Sequence, residues 1–155
     1  MFVSNVLRTK GTEIRTIAPL ASADDVVQEL VKFNVGSLVV METGAGGEAQ
    51  MVGIVTERDI LRALAAHRKP LDGLLVREVM STDVIVTSLE DKLQVAMRLM
   101  TEHRIRHLPV TDNGRLIGII SIGDIVKAHH DELEMENHHM KSYIQGEAAD
   151  VGVPL

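Results

Sequence analysis

The sequence contains no cysteine and no tryptophan, and its only aromatic residues are Phe2, Phe33 and Tyr143. Without cysteine, the chain can form neither a disulfide nor a thiolate metal site. With so few rings, the 45 % of residues that are hydrophobic must build an aliphatic core in which methionine fills gaps. The 155 residues correspond to one ordinary domain or two small ones.

Long apolar runs and an excess of positive charge are also missing. No run approaches the roughly 18 apolar residues of a membrane-spanning helix, and residues 1–15 lack the apolar stretch of a signal peptide. The net charge of −6 disfavours a general nucleic-acid binder, which normally carries a basic face. These absences predict a cytoplasmic protein without a membrane or nucleic-acid partner.

The most informative feature that is present is an internal repeat. Residues 53–60 (GIVTERDI) return 65 positions later as residues 118–125 (GIISIGDI). Residues 35–40 align with 105–110 at an offset of 70, so the first copy carries five extra residues in the glycine-rich segment 42–50. The counterpart, residues 111–115, contains Asn-Gly, which favours a tight hairpin. A repeat of this length determines the architecture.

Each copy is typical of a β-α-β-β-α unit. The predicted elements are an extended segment (14–17; 84–87), a helix (24–33; 90–103), a strand hairpin (37–41 with 51–55; 107–110 with 116–120) and a helix from Thr56 or Ser121. A unit near 60 residues buries little surface alone, and the second hairpin strands, apolar throughout, indicate cover on both faces. We therefore predict an α+β fold with two repeats packed about a pseudo-twofold axis and a cleft on each side. The predicted divisions are 1–70, 71–130 and a C-terminal helix and tail at 131–155.

The C-terminal tail shows a helical pattern over residues 131–145. Leu133, Met140 and Ile144 share one face, Gly146 is the predicted helix stop, and residues 147–155 are predicted to be a loose end. The apolar face predicts packing on the chain's own module or on a second protomer, which favours a homodimer. Histidines on the same segment (130 and 138, with Glu134) could bind a transition metal, but no fixed motif is present and we predict no metal site.

The repeated hydroxyl–aspartate pairs, Thr56 with Asp59 and Ser121 with Asp124, allow two interpretations. One is helix capping, because a hydroxyl at the N-cap and an acid three residues later satisfy free amides. The other is nucleotide binding, because a helix N-terminus attracts phosphate and a carboxylate suits the hydroxyls of a ribose. Repetition at the same place in both copies favours a ligand, and the two interpretations can both hold.

These motifs, with residues 76–80 (VREVM) and 100–110 (MTEHRIRHLPV), resemble the CBS domain in its usual tandem pair, the Bateman module. The resemblance covers roughly residues 6–130. It implies the paired fold above and adenosine ligands in the clefts between repeats; across the family these include AMP, ADP, ATP, NAD and S-adenosylmethionine. Most such modules regulate an attached enzyme or channel, for which this chain has no room.

The resemblance also implies roles for individual residues. Asp59 and Asp124 would bind ribose hydroxyls, and Thr56 and Ser121 would bind ribose or phosphate. Residues facing phosphates near the axis would be Arg58, Arg106 and His107. Residues enclosing the adenine would be Thr16, Val35, Gly36, Ser37, Val86 and Ile105. Ile122 and Gly123 replace the Glu57-Arg58 of the first copy, so the two sites are expected to differ in phosphate preference.

Other motifs carry less weight. Residues 103–107 (HRIRH) suit a phosphate cleft better than a nucleic-acid surface, and the glycines of residues 44–47 lie in a hairpin loop, not in a dinucleotide fingerprint. No nucleophile is paired with a base and a supporting third group, so no catalytic residue is predicted. The sequence predicts a non-enzymatic regulatory module that binds AMP, ADP, ATP or NAD(H) and signals energy or redox state to an unidentified protein. The alternatives are a structural interaction module without ligand and a nucleotide-processing enzyme.

Overall fold

The structure, a computed structural model, describes residues 1–150 and the side chains of residues 1–146. The elements of the first half are α1 (Val3–Lys10), β1 (Thr16–Ile17), α2 (Ala23–Phe33), β2 (Ser37–Thr43), β3 (Ala49–Thr56) and α3 (Glu57–His67). A short 3-10 turn, Leu71–Gly73, joins the halves. The elements of the second half are α4 (Val76–Val79), β4 (Thr87–Ser88), α5 (Leu93–His103), β5 (His107–Asp112), β6 (Arg115–Ser121) and α6 (Ile122–Asp150).

The two halves form two sheets of the same topology. The strand orders are β1-β2-β3 and β4-β5-β6. In each sheet the first strand runs parallel to the second, and the second and third strands form an antiparallel hairpin. The predicted α+β fold with two β-α-β-β-α repeats is confirmed.

The Asn-Gly hairpin forms as the sequence predicts. Asn113 and Gly114 join β5 to β6 with φ of 49° and 78°, and a two-residue turn with positive φ at both positions suits the right-handed twist of the strands. The first-copy hairpin is longer, and its loop occupies residues 44–48 between β2 and β3. The insertion therefore changes the loop and leaves the sheet topology intact.

The parallel strand pairing that opens each repeat begins one residue later in the second repeat than in the first, because the second repeat has a proline at the pairing position. In the first repeat the amide of Val39 donates a hydrogen bond to the carbonyl of Arg15 (3.0 Å). The corresponding residue of the second repeat is Pro109, which has no N–H to donate. The ladder between β4 and β5 therefore starts one residue later, where Thr87 pairs with Val110.

The short helix that precedes each repeat packs in the core of the other repeat. Val3, Val6 and Leu7 of α1 belong to the core of β5, β6 and α5. Val76, the first residue of α4, and Leu74, two residues before it, belong to the core of α2, β2 and β3. The two halves are therefore interlocked, an arrangement that the repeat pattern alone does not reveal.

Matching backbone hydrogen bonds anchor the two exchanged helices. The amide of Val3 donates to the carbonyl of Asp91 (2.9 Å), and the amide of Val76 donates to that of Ala21 (2.8 Å). The next pair repeats the pattern, because Ser4 donates to Leu89 (3.1 Å) as Arg77 donates to Pro19 (3.0 Å). The structural counterpart of Val76 is thus Val3, at an offset of 73.

Glycine stands where these helices approach the sheets. A Cβ on Gly53 would lie 2.7 Å from the sulfur of Met80 and 2.9 Å from the carbonyl oxygen of Ser81. A Cβ on Gly118 would lie 2.9 Å from a methyl group of Leu7. The repeated glycine of the GIV and GII motifs is therefore explained by close packing of a helix end on a strand.

The C-terminal helix differs from the prediction. α6 continues from Ile122 to Asp150 without a break, so the predicted stop at Gly146 is wrong, as is the loose end for residues 147–150. A glycine inside a helix costs about 1 kcal/mol relative to alanine, which is too little to end a helix that is favoured on both sides. The predicted tail residues 151–155 lie outside the described part of the chain.

The apolar tail residues find no cover on their own module. Leu133, Met140 and Ile144 expose 46 %, 63 % and 60 % of their surface, so packing on the chain's own core, one of the two predicted alternatives, is wrong for them. Within the described residues, no helix combines the length and the apolar character that crossing a bilayer requires.

Candidate functional site

A cleft of about 1000 Å³ opens between the two repeats. Its size is at the upper end of the range for small-molecule sites. It brings together the N-termini of α3 and α6, the segment before β4 and the end of α5. The lining residues are Gly36, Ile54, Thr56, Glu57, Arg58, Asp59, Leu61, Arg62, Ser81, Asp83, Val84, Ile85, His103, Arg104, Ile105, Arg106, His107, Ser121, Ile122 and Gly123.

The carboxylate of Asp59 lies in the first turn of α3 and is buried, with 8 % of the residue exposed. Its Oδ2 accepts hydrogen bonds from the amide (2.9 Å) and hydroxyl (3.2 Å) of Thr56, and its Oδ1 accepts one from the hydroxyl of Ser81 (3.2 Å). A carboxylate offers about four lone-pair positions, so Oδ1 retains room for another hydroxyl donor. Asp59 thus caps the helix and remains able to bind a ligand.

The cleft has an apolar part and a basic part. Ile54, Val84, Ile85 and Ile105 provide aliphatic surface on which a flat ring could lie. The basic lining residues are Arg58, Arg62, Arg104 and Arg106, which outnumber the acidic ones, Glu57, Asp59 and Asp83. In a chain with net charge −6, this concentration of arginine indicates an anionic ligand group.

Equivalent backbone hydrogen bonds connect the N-termini of α3 and α6 to the residues just before β2 and β5. The amide of Glu57 donates to the carbonyl of Gly36 (3.2 Å), and the amide of Ile122 donates to that of Arg106 (2.9 Å). Arg58 crosses between the repeats and donates from its guanidinium to the carbonyl of Arg104 (3.4 Å). The positive ends of the two helix dipoles therefore lie beside the arginines, which suits phosphate.

The ring of His107 lies against the backbone of Gly36, where an added Cβ would approach it within 3.1 Å. Burial lowers the pKa of His107 below its ordinary 6.5, and the charges of Lys10 and Arg106 lower it further, against the raising effects of Glu57 and Asp124. The imidazole is therefore a neutral hydrogen-bonding group at physiological pH.

The depressed pKa of His107 predicts a pH-dependent stability. Below pH 6.5 the unfolded chain binds the proton more readily than the folded chain, so the free energy of unfolding falls as the pH falls into this window and is fully recovered above it. We expect His107→Gln to reduce this slope, measured by urea denaturation between pH 5 and 8. His103→Gln, at an exposed cleft residue, is the control, and an unchanged slope in His107→Gln would contradict the assignment.

Asp124, the repeat partner of Asp59, has a different environment. Its Oδ2 lies 2.6 Å from Nζ of Lys10 and accepts a hydrogen bond from the amide of Ser121 (2.7 Å). Burial raises the pKa of this carboxyl, but the hydrogen bond and charge of Lys10, together with the Ser121 bonds, outweigh burial and hold the pKa below its ordinary value. Asp124 does not line the large cleft.

The structure brings most of the sequence-predicted site residues into one cleft. Those in the lining are Gly36, Thr56, Arg58, Asp59, Ile105, Arg106, His107 and Ser121. Those outside it are Thr16, Val35, Ser37, Val86 and Asp124. Val35 packs against the hydrophobic core of the first repeat, Ser37 is buried and Val86 is exposed. Val84 and Ile85 line the cleft wall for which the family resemblance implied Val86.

Sequence reasoning missed several cleft residues. Ser81 and Asp83 precede β4 in a segment without periodicity, and Arg62 lies one helical turn after Arg58 on α3. Spacing along α3 could have indicated Arg62, because residues four apart share a helix face. The approach of Ser81 to Asp59 depends on the docking of α4, for which the sequence carries no local signal.

The comparisons with known proteins agree with this geometry. Residues 3–66 and 76–131 match the CBS domain, and the chain belongs to the CBS-domain family, as a tandem pair. It is 36 % identical over 150 residues to the CBS domain-containing protein CBSX3, mitochondrial, of Arabidopsis thaliana, covering 93 % of this chain and 72 % of that protein.

Solved structures show the same pairing of repeats. A CBS-domain structure, NE2398, superposes with a TM-score of 0.77 at 37 % identity, covering 83 % of this chain and 97 % of that one. The CBS domain pair of protein MJ0100, in complex with 5-methylthioadenosine and S-adenosyl-L-methionine, superposes with a TM-score of 0.72 at 25 % identity, covering 85 % and 98 % of the two chains.

Proposed function

We propose that this protein is a regulatory CBS pair that binds an adenine nucleotide in the cleft at Asp59. The candidate ligands are AMP, ADP, ATP and NAD(H). The observation that carries the proposal is one cleft that combines a buried carboxylate, an aliphatic wall and four arginines. These three features match the sugar, the base and the phosphates of a nucleotide.

The sugar would bind between Asp59 and Ser81. Oδ1 of Asp59 accepts one ribose hydroxyl, and the Ser81 hydroxyl, 3.2 Å from that oxygen, accepts the other. The adenine would lie on the aliphatic wall formed by Val84, Ile85 and Ile105. This placement directs the phosphates towards the helix N-termini and the arginines, where anionic groups are stabilised.

The ligands of the MJ0100 pair support the adenosine assignment, because both are adenosine derivatives. The site of the present chain is richer in arginine than an uncharged nucleoside requires. We therefore place nucleotides with phosphate groups before nucleosides in the order of expected affinity.

Regulation, not catalysis, is the proposed role. A nucleotide that bridges the two repeats stabilises one arrangement of them by its differential affinity, and a partner protein can bind that arrangement selectively. Three further points stay predictions. They are the existence of a regulated partner protein, a homodimer formed through the exposed apolar face of α6, and a cytoplasmic location. The relative CBSX3 is a mitochondrial protein by its name.

Thermal denaturation with millimolar AMP, ADP, ATP or NAD tests the proposal. A ligand at about ten times its Kd adds about 1.4 kcal/mol to the free energy of unfolding, which raises the Tm by about 3–6 °C for a chain of this size. GTP and sodium tripolyphosphate serve as controls for the base and for charge alone. No shift with any adenine nucleotide would favour the structural module, and product formed on prolonged incubation would favour an enzyme.

A further inference from the structure

The carboxylates of Asp59 and Asp124 occupy equivalent places in the two repeats but have different partners. Asp59 accepts a hydrogen bond from the neutral hydroxyl of Ser81 (3.2 Å). Asp124 binds the ammonium of Lys10 (2.6 Å), which also donates to the carbonyl of Ile119 (2.7 Å). An ammonium group therefore stands beside Asp124, where the other repeat has a hydroxyl that a sugar can share.

The difference arises from the length of the exchanged helices. α1 has 8 residues and α4 has 4, although both begin with the same anchoring hydrogen bonds. After α4 the chain leaves the helix, and Ser81 forms two backbone hydrogen bonds with Ile54 (2.9 and 3.0 Å). α1 continues for one more turn, and that turn brings Lys10 to the carbonyl of Ile119, the repeat counterpart of Ile54.

We propose that Lys10 occupies the position of a sugar beside Asp124, so that the module binds one nucleotide per chain, at Asp59, while Lys10 holds Asp124. The inference rests on the proposed function, because it assigns a sugar-binding role to both carboxylates. The side chains of Lys10 and Asp124 are only 32 % and 23 % exposed, so water screens the pair incompletely. A sugar hydroxyl, which is neutral, is a weaker partner for the carboxylate than the ammonium that it must displace.

Removing the ammonium should open the second site. In Lys10→Met the stem of the side chain is kept and the charge is lost, so Asp124 can accept sugar hydroxyls. We expect native mass spectrometry with ATP, and separately with AMP, to count one nucleotide per wild-type chain and two per Lys10→Met chain. The double variant Lys10→Met/Asp59→Asn should return the count to one, now at Asp124.

Matched controls test whether the effect is specific to the Lys10–Asp124 pair or follows from any loss of positive charge on α1. Arg8→Met removes a positive charge from an exposed position of the same helix and should leave the count at one. Lys10→Gln is a second variant in case methionine disturbs the end of α1. Acetylation of Lys10 by acetic anhydride, measured by peptide mass spectrometry, should be slower in the wild type than in Asp124→Asn.

The outcomes distinguish this inference from the proposed function. Two nucleotides on the wild-type chain, or one on both the wild type and the two Lys10 variants, would overturn the role of Lys10 and leave nucleotide binding intact. No nucleotide on the wild type and one on Lys10→Met would overturn the Asp59 site and support the role of Lys10. No nucleotide on any variant would overturn both.

Discussion

Replacing Asp59 with alanine is expected to weaken nucleotide binding about 100-fold. A hydrogen bond that involves a charged group contributes about 1.5–3 kcal/mol, and the substitution removes the carboxylate that would accept a sugar hydroxyl and position Ser81 to accept the other. A loss near 3 kcal/mol corresponds to two orders of magnitude in Kd. Isothermal titration calorimetry of ATP or AMP, whichever binds the wild type more tightly, measures the change.

The control for this prediction is another capping aspartate. Asp25 accepts a hydrogen bond from the amide of Ser22 at the start of α2 (2.9 Å), in the same capping geometry that Asp59 has with Thr56. Asp25 does not line the cleft. Asp25→Ala should therefore lower the stability slightly, through loss of part of the helix cap, without changing the affinity for nucleotide.

Comparing the two variants isolates the ligand role from the cap. If Asp59→Ala binds nucleotide within about twofold of the wild type while remaining folded, Asp59 is a cap alone and the sugar is held elsewhere. Circular dichroism at the titration temperature establishes that each variant is folded before its affinity is interpreted.

Gly53→Ala is expected to destabilise the protein by about 2–3 kcal/mol, because overpacking a buried site forces its neighbours to move. The new Cβ would lie 2.9 Å from the backbone carbonyl of Ser81 and 2.7 Å from the sulfur of Met80. The methionine side chain can rotate, but the carbonyl is held by its hydrogen bond with the amide of Ile54 (3.0 Å). Relief therefore requires α4 and Ser81 to shift away from the strand.

Gly118→Ala is the matched variant at the same position of the other repeat. Its Cβ would meet two methyl carbons of Leu7 at 2.9 and 3.0 Å, and a leucine side chain can repack more easily than a backbone carbonyl. We expect a loss of about 1 kcal/mol for Gly118→Ala. Urea denaturation of both variants measures the difference in the free energy of unfolding.

The glycine pair also connects stability to binding. Because Ser81 lines the cleft, Gly53→Ala should weaken nucleotide binding at Asp59, whereas Gly118→Ala should leave it unchanged. Equal losses of stability in the two variants would contradict the view that the Ser81 carbonyl is the rigid neighbour. Gly46→Ala, in the first hairpin loop with open space around the added carbon, gives the baseline for a glycine substitution.

Local patterns in the sequence were enough to predict the repeat topology. The Asn113-Gly114 turn and the hydroxyl–aspartate caps depend on residues within three or four positions of each other, so their chemistry is visible in a short window. The same holds for the apolar hairpin strands, whose composition reports the burial of both faces. These local signals agree with the fold, as expected of a natural sequence.

The docking of α1 and the partner of Asp124 could not be predicted in this way. Lys10 and Asp124 are 114 positions apart, and a lysine at the end of a short helix is normally a solvated residue. Their contact depends on one additional turn in α1, which alters no periodic pattern in the chain. At Gly146 the local pattern misled in the other direction. The glycine predicted a helix end, but the helical preference of the residues around it outweighs the cost of one glycine, and α6 continues.

The exchanged helices have a consequence for how the chain folds. α1, which precedes the first repeat, completes the core of the second repeat, and the core of the first repeat is completed by α4 from the second half. Neither half can finish folding before the other has begun, so the protein should melt as a single cooperative unit despite its two separate sheets. Nucleotide bound in the cleft would then protect both halves from proteolysis together.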